Sequence, residues 1–199
     1  VVDNKQWVGR NYGLDLSNRS YNQSTIATVP WIDSNFKMEF VVDELGSPAV
    51  IGSTVNRAFG VSGTSRAFIY YNGTLSFITT GMVPDTPTHL AVHRSRLFLA
   101  FGSSIQYSQA GDPLSWTPVL GAGEINTGAK ITGLLSLTGE SEASALLVST
   151  EERLYILYGD SESNFQLVPF AEDTGAYPNT LQWMGMAMFQ NAFGLTSMS

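Results

Sequence analysis

The chain has 199 residues, of which 43% are hydrophobic and 12% aromatic, so it has enough apolar side chains for a domain with its own core. Its 17 acidic and 10 basic residues give a formal net charge of −7, whereas tight binding to nucleic acid or to an anionic membrane needs a surplus of Lys and Arg. The chain has no cysteine, which excludes disulfides, thiolate catalysis and Cys-ligated zinc.

Charged residues make up only 14% of the chain, against about 25% in an average globular protein. A surface with so few charges suits a protein packed against neighbours, but the accompanying Ser, Thr and Gly are also typical of strands and turns, and the composition does not decide between the two. The first residue is Val1, and Ser199 follows an apolar strand almost directly. We therefore expect a segment of a longer polypeptide.

The first 60 residues are less regular than the rest. Strands are predicted at 36–42, 49–53 and 57–61, with a turn at 46–48. We expect residues 1–60 to form an irregular β segment, either an incomplete domain or a first blade.

Four hairpins are predicted after this segment. The first is the most specific, because Asn72-Gly73 separates two apolar runs and both residues tolerate the positive φ of a type I′ turn. The other three have turns at 102–104, 149–152 and 190–192. Helix candidates at 140–147 and 181–188 are weak, since the former has no apolar stripe and Gly185 interrupts the latter.

The hairpins recur at the period of a β-propeller. With Gly73, Gly102, Glu152 and Ala192 as turn centres, the mean spacing is about 40 residues, which is near the length of a propeller blade. The runs at 97–101 and 154–158 are continuously apolar, which indicates strands buried on both faces between stacked sheets. The sequence predicts an all-β fold of antiparallel hairpin repeats, propeller-like over 61–199, and either a partial propeller or a segment of one.

Most candidate reactive groups have an ordinary structural interpretation. His89 and His93 have the spacing of zinc ligands on a helix, but they belong to a predicted strand and would lie roughly 13 Å apart, so we expect surface or turn histidines. Gly121 and Gly123 begin a dinucleotide fingerprint that Asn126 breaks, which leaves a glycine-rich loop.

No catalytic constellation is recognisable. A nucleophile elbow of the type Gly-x-Ser-x-Gly is absent, and the pair Glu151-Glu152 is expected to keep a hairpin tip hydrated. The other acidic candidates for glycoside hydrolysis follow no pattern, and these are Asp112, Glu124, Glu172 and Asp173. The sequence therefore predicts no enzyme activity, no cofactor and no metal.

The segment 108–116 is the most distinctive stretch. It resembles the Asp-box turn, Ser-x-Asp-x-Gly-x-x-Trp, of sialidases and related propellers, although Ala110 stands where the Asp belongs. In that family the motif is structural, and catalysis uses an arginine cluster elsewhere. The arginines available here follow no pattern that sets three of them around one carboxylate, and these are Arg57, Arg66, Arg94, Arg96 and Arg153. We expect structural turn and anchor roles for six residues: Asn72, Gly73, Ser108, Gly111, Asp112 and Trp116. Burial of the Trp116 indole predicts a cost of about 3–5 kcal/mol for Trp116→Ala.

The segment 96–199 also resembles a recurrent pattern in tail proteins of double-stranded DNA phages. The pattern contains a strand at 96–100, Tyr107-Ser108, Gly111-Asp112-Pro113, Trp116, 121–125 and 131–134, then 154–157, Gly175-Ala176 and the hairpin 188–194. The resemblance covers about half of the chain and lies in the order of these motifs.

This resemblance implies a virion structural protein, a tail nozzle, tubular or hub component that forms a homo-oligomeric ring, commonly six-fold, with other tail proteins. DNA would pass through the ring without specific binding, and no membrane is involved. An alternative is a carbohydrate-binding or glycan-degrading propeller related to Asp-box proteins, which would place exposed aromatics, carboxylates and arginines in one cleft. At about 40 residues per blade, we expect further sequence or neighbouring subunits to complete the circle.

Overall fold

The computed structural model describes residues 38–46, 56–137, 145–183 and 186–198. These residues form 15 β-strands, and the helical structure within them is one 3₁₀ turn at Pro118–Leu120. Across the same ranges, no helix has the length and apolar character needed to span a membrane. The all-β prediction is confirmed.

The strands form four antiparallel sheets in chain order. Sheet 1 comprises β1 (Glu39–Asp43), β2 (Arg57–Val61), β3 (Phe68–Tyr71) and β4 (Thr74–Phe77). Sheet 2 comprises β5 (His89–His93), β6 (Arg96–Phe101), β7 (Ser104–Tyr107) and β8 (Gly123–Asn126). Sheet 3 comprises β9 (Ile131–Leu137), β10 (Ala145–Thr150), β11 (Leu154–Tyr158) and β12 (Gln166–Ala171). Sheet 4 comprises β13 (Gln182–Trp183), β14 (Ala187–Asn191) and β15 (Gly194–Met198).

Each sheet is a simple meander, in which every strand pairs with the next one along the chain. The first strands begin at residues 39, 89, 131 and 182, so the sheets recur every 42 to 51 residues. This is the period of propeller blades, and each sheet is one blade. The prediction of propeller-like antiparallel repeats is confirmed.

The four predicted hairpins are present, but one of them is not equivalent to the other three. The turns near 102, 152 and 192 join the second and third strands of sheets 2, 3 and 4, whereas Asn72-Gly73 joins the third and fourth strands of sheet 1. The matching turn of sheet 1 lies at 62–67, where no Asn-Gly marks it. Gly73 is therefore not equivalent to the other three turn centres, and the blade spacing runs instead between the first strands of the sheets.

Three apolar cores join successive sheets. Phe59, Val61 and Ile69 of sheet 1 pack on Leu97 and Leu99 of sheet 2. The opposite side of sheet 2 packs on sheet 3 through Phe98, Ile105, Ile131, Leu146 and Val148, and the far side of sheet 3 packs on sheet 4 through Leu147, Ile156, Ala187 and Phe189. Because both faces of sheets 2 and 3 are covered, the runs at 97–101 and 154–158 are apolar without alternation, as predicted.

Among the described residues, sheets 1 and 4 each have one face that packs on a neighbouring sheet. In β1, Val41 faces sheet 2, whereas Phe40 and Val42 point the other way and are exposed. In β15, Leu195 is exposed on the face opposite Phe189. Among the described residues, sheets 1 and 4 are therefore the two ends of the stack.

Several local predictions need correction or lie outside the described ranges. The helix candidate at 181–188 is wrong where the structure describes it, because β13 and the start of β14 occupy it. Residues 145–147 of the other candidate belong to β10, and its remainder, like the predicted strand at 49–53, lies outside the described residues. The boundary at residue 60 falls inside β2, so the first blade includes residues from both sides of it.

Candidate functional site

The first strand of every sheet contributes to one central cavity of about 690 Å³. Its walls come from residues 38–41 before and in β1, 90–92 in β5, 133–136 in β9 and 181–182 at β13. The lining is mostly aliphatic, and Glu39, Ser136, Asn179 and Gln182 supply its polar side chains. This cavity corresponds to the axis of a propeller, around which the inner strands are arranged.

Two histidines connect the inner strands beside the cavity. His89 Nδ1 lies 2.6 Å from Glu39 Oε1 of β1, and His93 Nδ1 lies 3.0 Å from Ser136 Oγ of β9. Both imidazoles are buried, so the expectation of surface or turn histidines was wrong. β5 packs between β1 and β9, so the histidine at each end can reach a different neighbour, which sequence spacing alone does not show.

His93 is held in its neutral form. Burial, with a smaller contribution from the charge of Arg94, lowers the pKa of His93 to about 4. Its Nε2 atom is buried without a hydrogen-bond partner, and its ring packs edge-on against Phe98. Protonation would place a charge in this apolar contact. Within the described ranges, no group of three or more His, Asp or Glu side chains is arranged to hold a metal ion.

The predicted turn and anchor residues occupy two separate places. Asn72 and Gly73 lie between β3 and β4 and have φ values of 47° and 77°. These are the positive φ values that an Asn-Gly turn requires. Ser108 is fully buried, and its Oγ accepts a hydrogen bond from the Leu97 amide at 3.0 Å. Thus Ser108 fixes the end of β7 against β6.

The stretch after Ser108 forms a compact turn. Gly111, with φ 77°, donates its amide hydrogen to the Ser95 carbonyl at 2.7 Å, and Asp112 Oδ1 accepts from the Leu114 amide at 2.9 Å. Trp116 donates from Nε1 to the Pro113 carbonyl at 3.1 Å and packs on the core between sheets 1 and 2. These contacts are structural and involve no convergence of reactive groups.

Trp116 is only partly buried, so the predicted cost of its removal is too large. We expect Trp116→Ala to lower the free energy of unfolding by about 2 kcal/mol, because part of the indole remains in water in the folded state. Asp112→Ala should cost about 1 kcal/mol, through the loss of one exposed turn hydrogen bond. Urea denaturation of both variants measures the difference, and equal costs would contradict the anchor role.

Arg96 connects sheets 2 and 3, a role that its sequence position did not indicate. Its side chain is buried, and Nη1 donates to the carbonyls of Ser108 and Gly121. Its Nη2 lies 2.9 Å from Oε2 of Glu162, in the connection between β11 and β12, and the guanidinium lies over the rings of Tyr107 and Phe165. The sequence signal for a buried structural arginine is its position at the start of an apolar strand. Its acidic partner, Glu162, lies 66 residues further along the chain and is not indicated by that signal.

A second cavity, of about 460 Å³, gathers carboxylates that the sequence separates. Its lining includes the turn residues Glu151, Glu152 and Arg153, the loop residues Glu172 and Asp173, and two aromatic side chains from sheet 4 and the segment before it, Tyr177 and Phe193. Phe193 is 89% exposed. Glu151 also pairs with Lys130 at 3.0 Å. The loop reaches the turn because Gly175 packs against the Glu151 carbonyl, where a Cβ atom would lie only 2.0 Å from that oxygen.

The glycine-rich loop is a connection between strands, as its sequence suggested. Gly121 ends the 3₁₀ turn with φ 89°, and Gly123 begins β8. A Cβ atom on Gly123 would meet the Tyr107 ring, so this glycine permits β8 to approach the aromatic side chain closely.

Comparison with known proteins shows the fold alone. No model of a known protein family matches the chain, and no curated protein matches its sequence. A crystal structure of BBS1N in complex with ARL6DN, soaked with lead, matches with a TM-score of 0.53 and 12% identity over 79% of this chain and 48% of that chain. The same complex soaked with mercury gives a TM-score of 0.50 and 10% identity over 81% and 49%. This chain, which spans about half the length of these structures, therefore has the fold of a partial β-propeller.

Proposed function

We propose that this chain is a structural component of a phage tail, a nozzle, tubular or hub protein whose sheets form part of a ring around the DNA exit path. The proposal is supported by the resemblance of residues 96–199 to phage tail proteins and by the positions of the matching motifs in the fold. They lie in β6, in the turn before Trp116, in β9, in β11 and at the hairpin of β14 and β15. These are framework positions of successive blades, which suits a building element.

The charge of the chain is compatible with a DNA conduit. A net charge of −7 repels phosphate, so DNA would pass without being held. Low charge content also suits surfaces that are covered by other tail proteins or by copies of this chain. In this function the chain performs no reaction and requires neither cofactor nor metal.

The proposal is tested on particles. Mass spectrometry of gradient-purified virions should detect peptides of this chain at a fixed ratio to the major tail proteins, and gold-labelled antibody should mark the tail in electron micrographs. Peptides confined to the soluble, particle-free fraction of the lysate would overturn the proposal.

Glycan binding is a second candidate, and the second cavity is the observation that favours it. Aromatic side chains, carboxylates and Arg153 line one cleft there. Arg153 is the one arginine that the described residues contribute to its lining, unlike the arginine cluster of sialidases, so binding is favoured over hydrolysis. A glycan array would detect this function, and Tyr177→Ala should abolish a genuine signal.

A further inference from the structure

We propose that the second cavity binds sugars that carry a positive charge, such as glucosamine units with a free amino group, and that its lining rejects acidic sugars. The inference rests on the glycan-binding candidate and specifies which class of glycan that site takes. It does not depend on the tail assignment. Glycan binding and charge selection are measured separately, so a site that binds neutral glycans would be recognised as such.

Two aromatic rings of the cavity are open to solvent. Phe193 is 89% exposed at the turn between β14 and β15, and Tyr177 is 49% exposed in the segment before β13. The Phe193 amide donates to Asn191 Oδ1 at 2.9 Å, which fixes the turn. The Tyr177 amide donates to the Gln190 carbonyl of β14 at 2.8 Å, which fixes the segment beside it. Exposed rings on such a frame can pack on the C–H face of a sugar and also attract a cation.

The charged part of the lining is mostly acidic. Four carboxylates come from the turn between β10 and β11 and from the loop after β12, and all four residues are exposed: Glu151, Glu152, Glu172 and Asp173. Among the described lining residues, Arg153 is the one that carries a positive charge, which leaves a formal excess of three negative charges. Even when Lys130, which pairs with Glu151 at 3.0 Å, is counted, an excess of two remains.

Backbone contacts hold the acidic loop beside the acidic turn. The Ala176 amide donates to the Thr150 carbonyl at 3.0 Å. Gly175 lies against the Glu151 carbonyl, where a side chain would have no room. The carboxylates are therefore kept in one cleft although they repel one another, and a bound cation would relieve this repulsion.

The charge of the lining distinguishes three classes of sugar. A sialic or uronic acid would bring its own carboxylate among four others, with the guanidinium of Arg153 to oppose them. A neutral sugar can pack on the rings but leaves the negative excess uncompensated. An ammonium group on the same sugar can donate charge-assisted hydrogen bonds to the carboxylates and lie over an aromatic face. Rejection of the wrong charge and attraction of the right one both contribute to specificity.

The test is isothermal titration calorimetry of the purified chain with three oligosaccharides. Hexamers of glucosamine and of N-acetylglucosamine share rings and linkages, and sialyllactose represents the acidic class. At about pH 6, we expect the glucosamine hexamer to bind at least about tenfold more tightly than the acetylated one, and sialyllactose not to bind measurably. At about pH 8 the amino groups have lost most of their charge while carboxylates in general remain ionised, so the preference should largely disappear.

Two double variants show whether the cavity is responsible for the preference. Glu172→Gln with Asp173→Asn removes two carboxylates from the lining and should reduce the tenfold preference to about threefold or less. Glu44→Gln with Glu162→Gln is the matched control, because it removes two exposed carboxylates that lie outside the cavity lining. The control should keep the full preference, and an equal loss in both variants would show that net charge rather than the cavity selects the sugar.

The other outcomes are equally decisive. Equal affinities for the two hexamers at about pH 6 would leave glycan binding in place and overturn charge selection, as would tight binding of sialyllactose. Failure of all three oligosaccharides to bind would overturn the inference together with the glycan-binding candidate. A lysine hexapeptide that bound more tightly than the glucosamine hexamer would show that the cavity takes a basic protein segment, which would overturn the assignment to sugars.

Discussion

Replacing Arg96 with Ala is expected to lower the free energy of unfolding by about 3–5 kcal/mol, as breaking a buried ionic and hydrogen-bonded group does. Arg96 is 4% exposed, and its removal leaves the carbonyls of Ser108 and Gly121 without this donor. It also removes the guanidinium from over the rings of Tyr107 and Phe165, which pack against each other between sheets 2 and 3. Urea denaturation followed by tryptophan fluorescence measures the change.

The ion pair itself contributes little to this cost. Glu162 is half exposed, so Glu162→Gln should change stability by less than about 1 kcal/mol. Lys130→Ala removes the largely exposed partner of Glu151 and is a matched control for the loss of a cation, with an equally small effect. If Arg96→Ala cost no more than Lys130→Ala, Arg96 would not hold the two sheets together.

Acidification is expected to destabilise the chain through His93 between about pH 6.5 and pH 4. The unfolded histidine titrates near its ordinary pKa of 6.5, whereas burial lowers the pKa of the folded one to about 4. Over this window the unfolded state binds the additional proton, so stability falls as the pH falls, by roughly 3 kcal/mol in total. Above pH 6.5 neither state is protonated at this site, and its contribution is constant.

Carboxylates also titrate on acidification, so the measurement compares two proteins. His93→Phe removes the titrating group and keeps a ring that can pack on Phe98. The difference in unfolding free energy between wild type and His93→Phe should change by about 3 kcal/mol from pH 7 to pH 4. A constant difference over this range would show that His93 is accessible to protons in the folded state.

Local patterns predicted the hairpins, because turn chemistry and apolar runs act over a few residues. Asn72 and Gly73 adopt the positive φ that the sequence indicates, and the continuous run at 97–101 lies between two sheets. The prediction that the Asn72-Gly73 hairpin is equivalent to the other three was wrong, because a strong turn signal does not indicate which strands of a blade the turn joins.

The candidate sites were less predictable, because they depend on distant residues. Glu39 and His89 are 50 residues apart, and the carboxylates of the second cavity come from two different connections. The burial of His93 similarly depends on β9, which follows it by a loop and three strands. Periodicity of apolar residues predicts which strands are covered but not which polar side chains meet between them.

In the described part of the chain, the apolar cores join each sheet to the next one in the stack, so the energetics of this part are nearly one-dimensional. Each blade is stabilised by its own strand pairing and by the interfaces beside it, as in repeat proteins. Among the described residues, sheets 2 and 3 have two such interfaces, whereas sheets 1 and 4 have one each. Opening is therefore expected to begin at the terminal blades and to proceed inward, so that partly opened forms retain the central pair. Any partner that caps a terminal blade would stabilise the whole stack by closing the point from which opening begins.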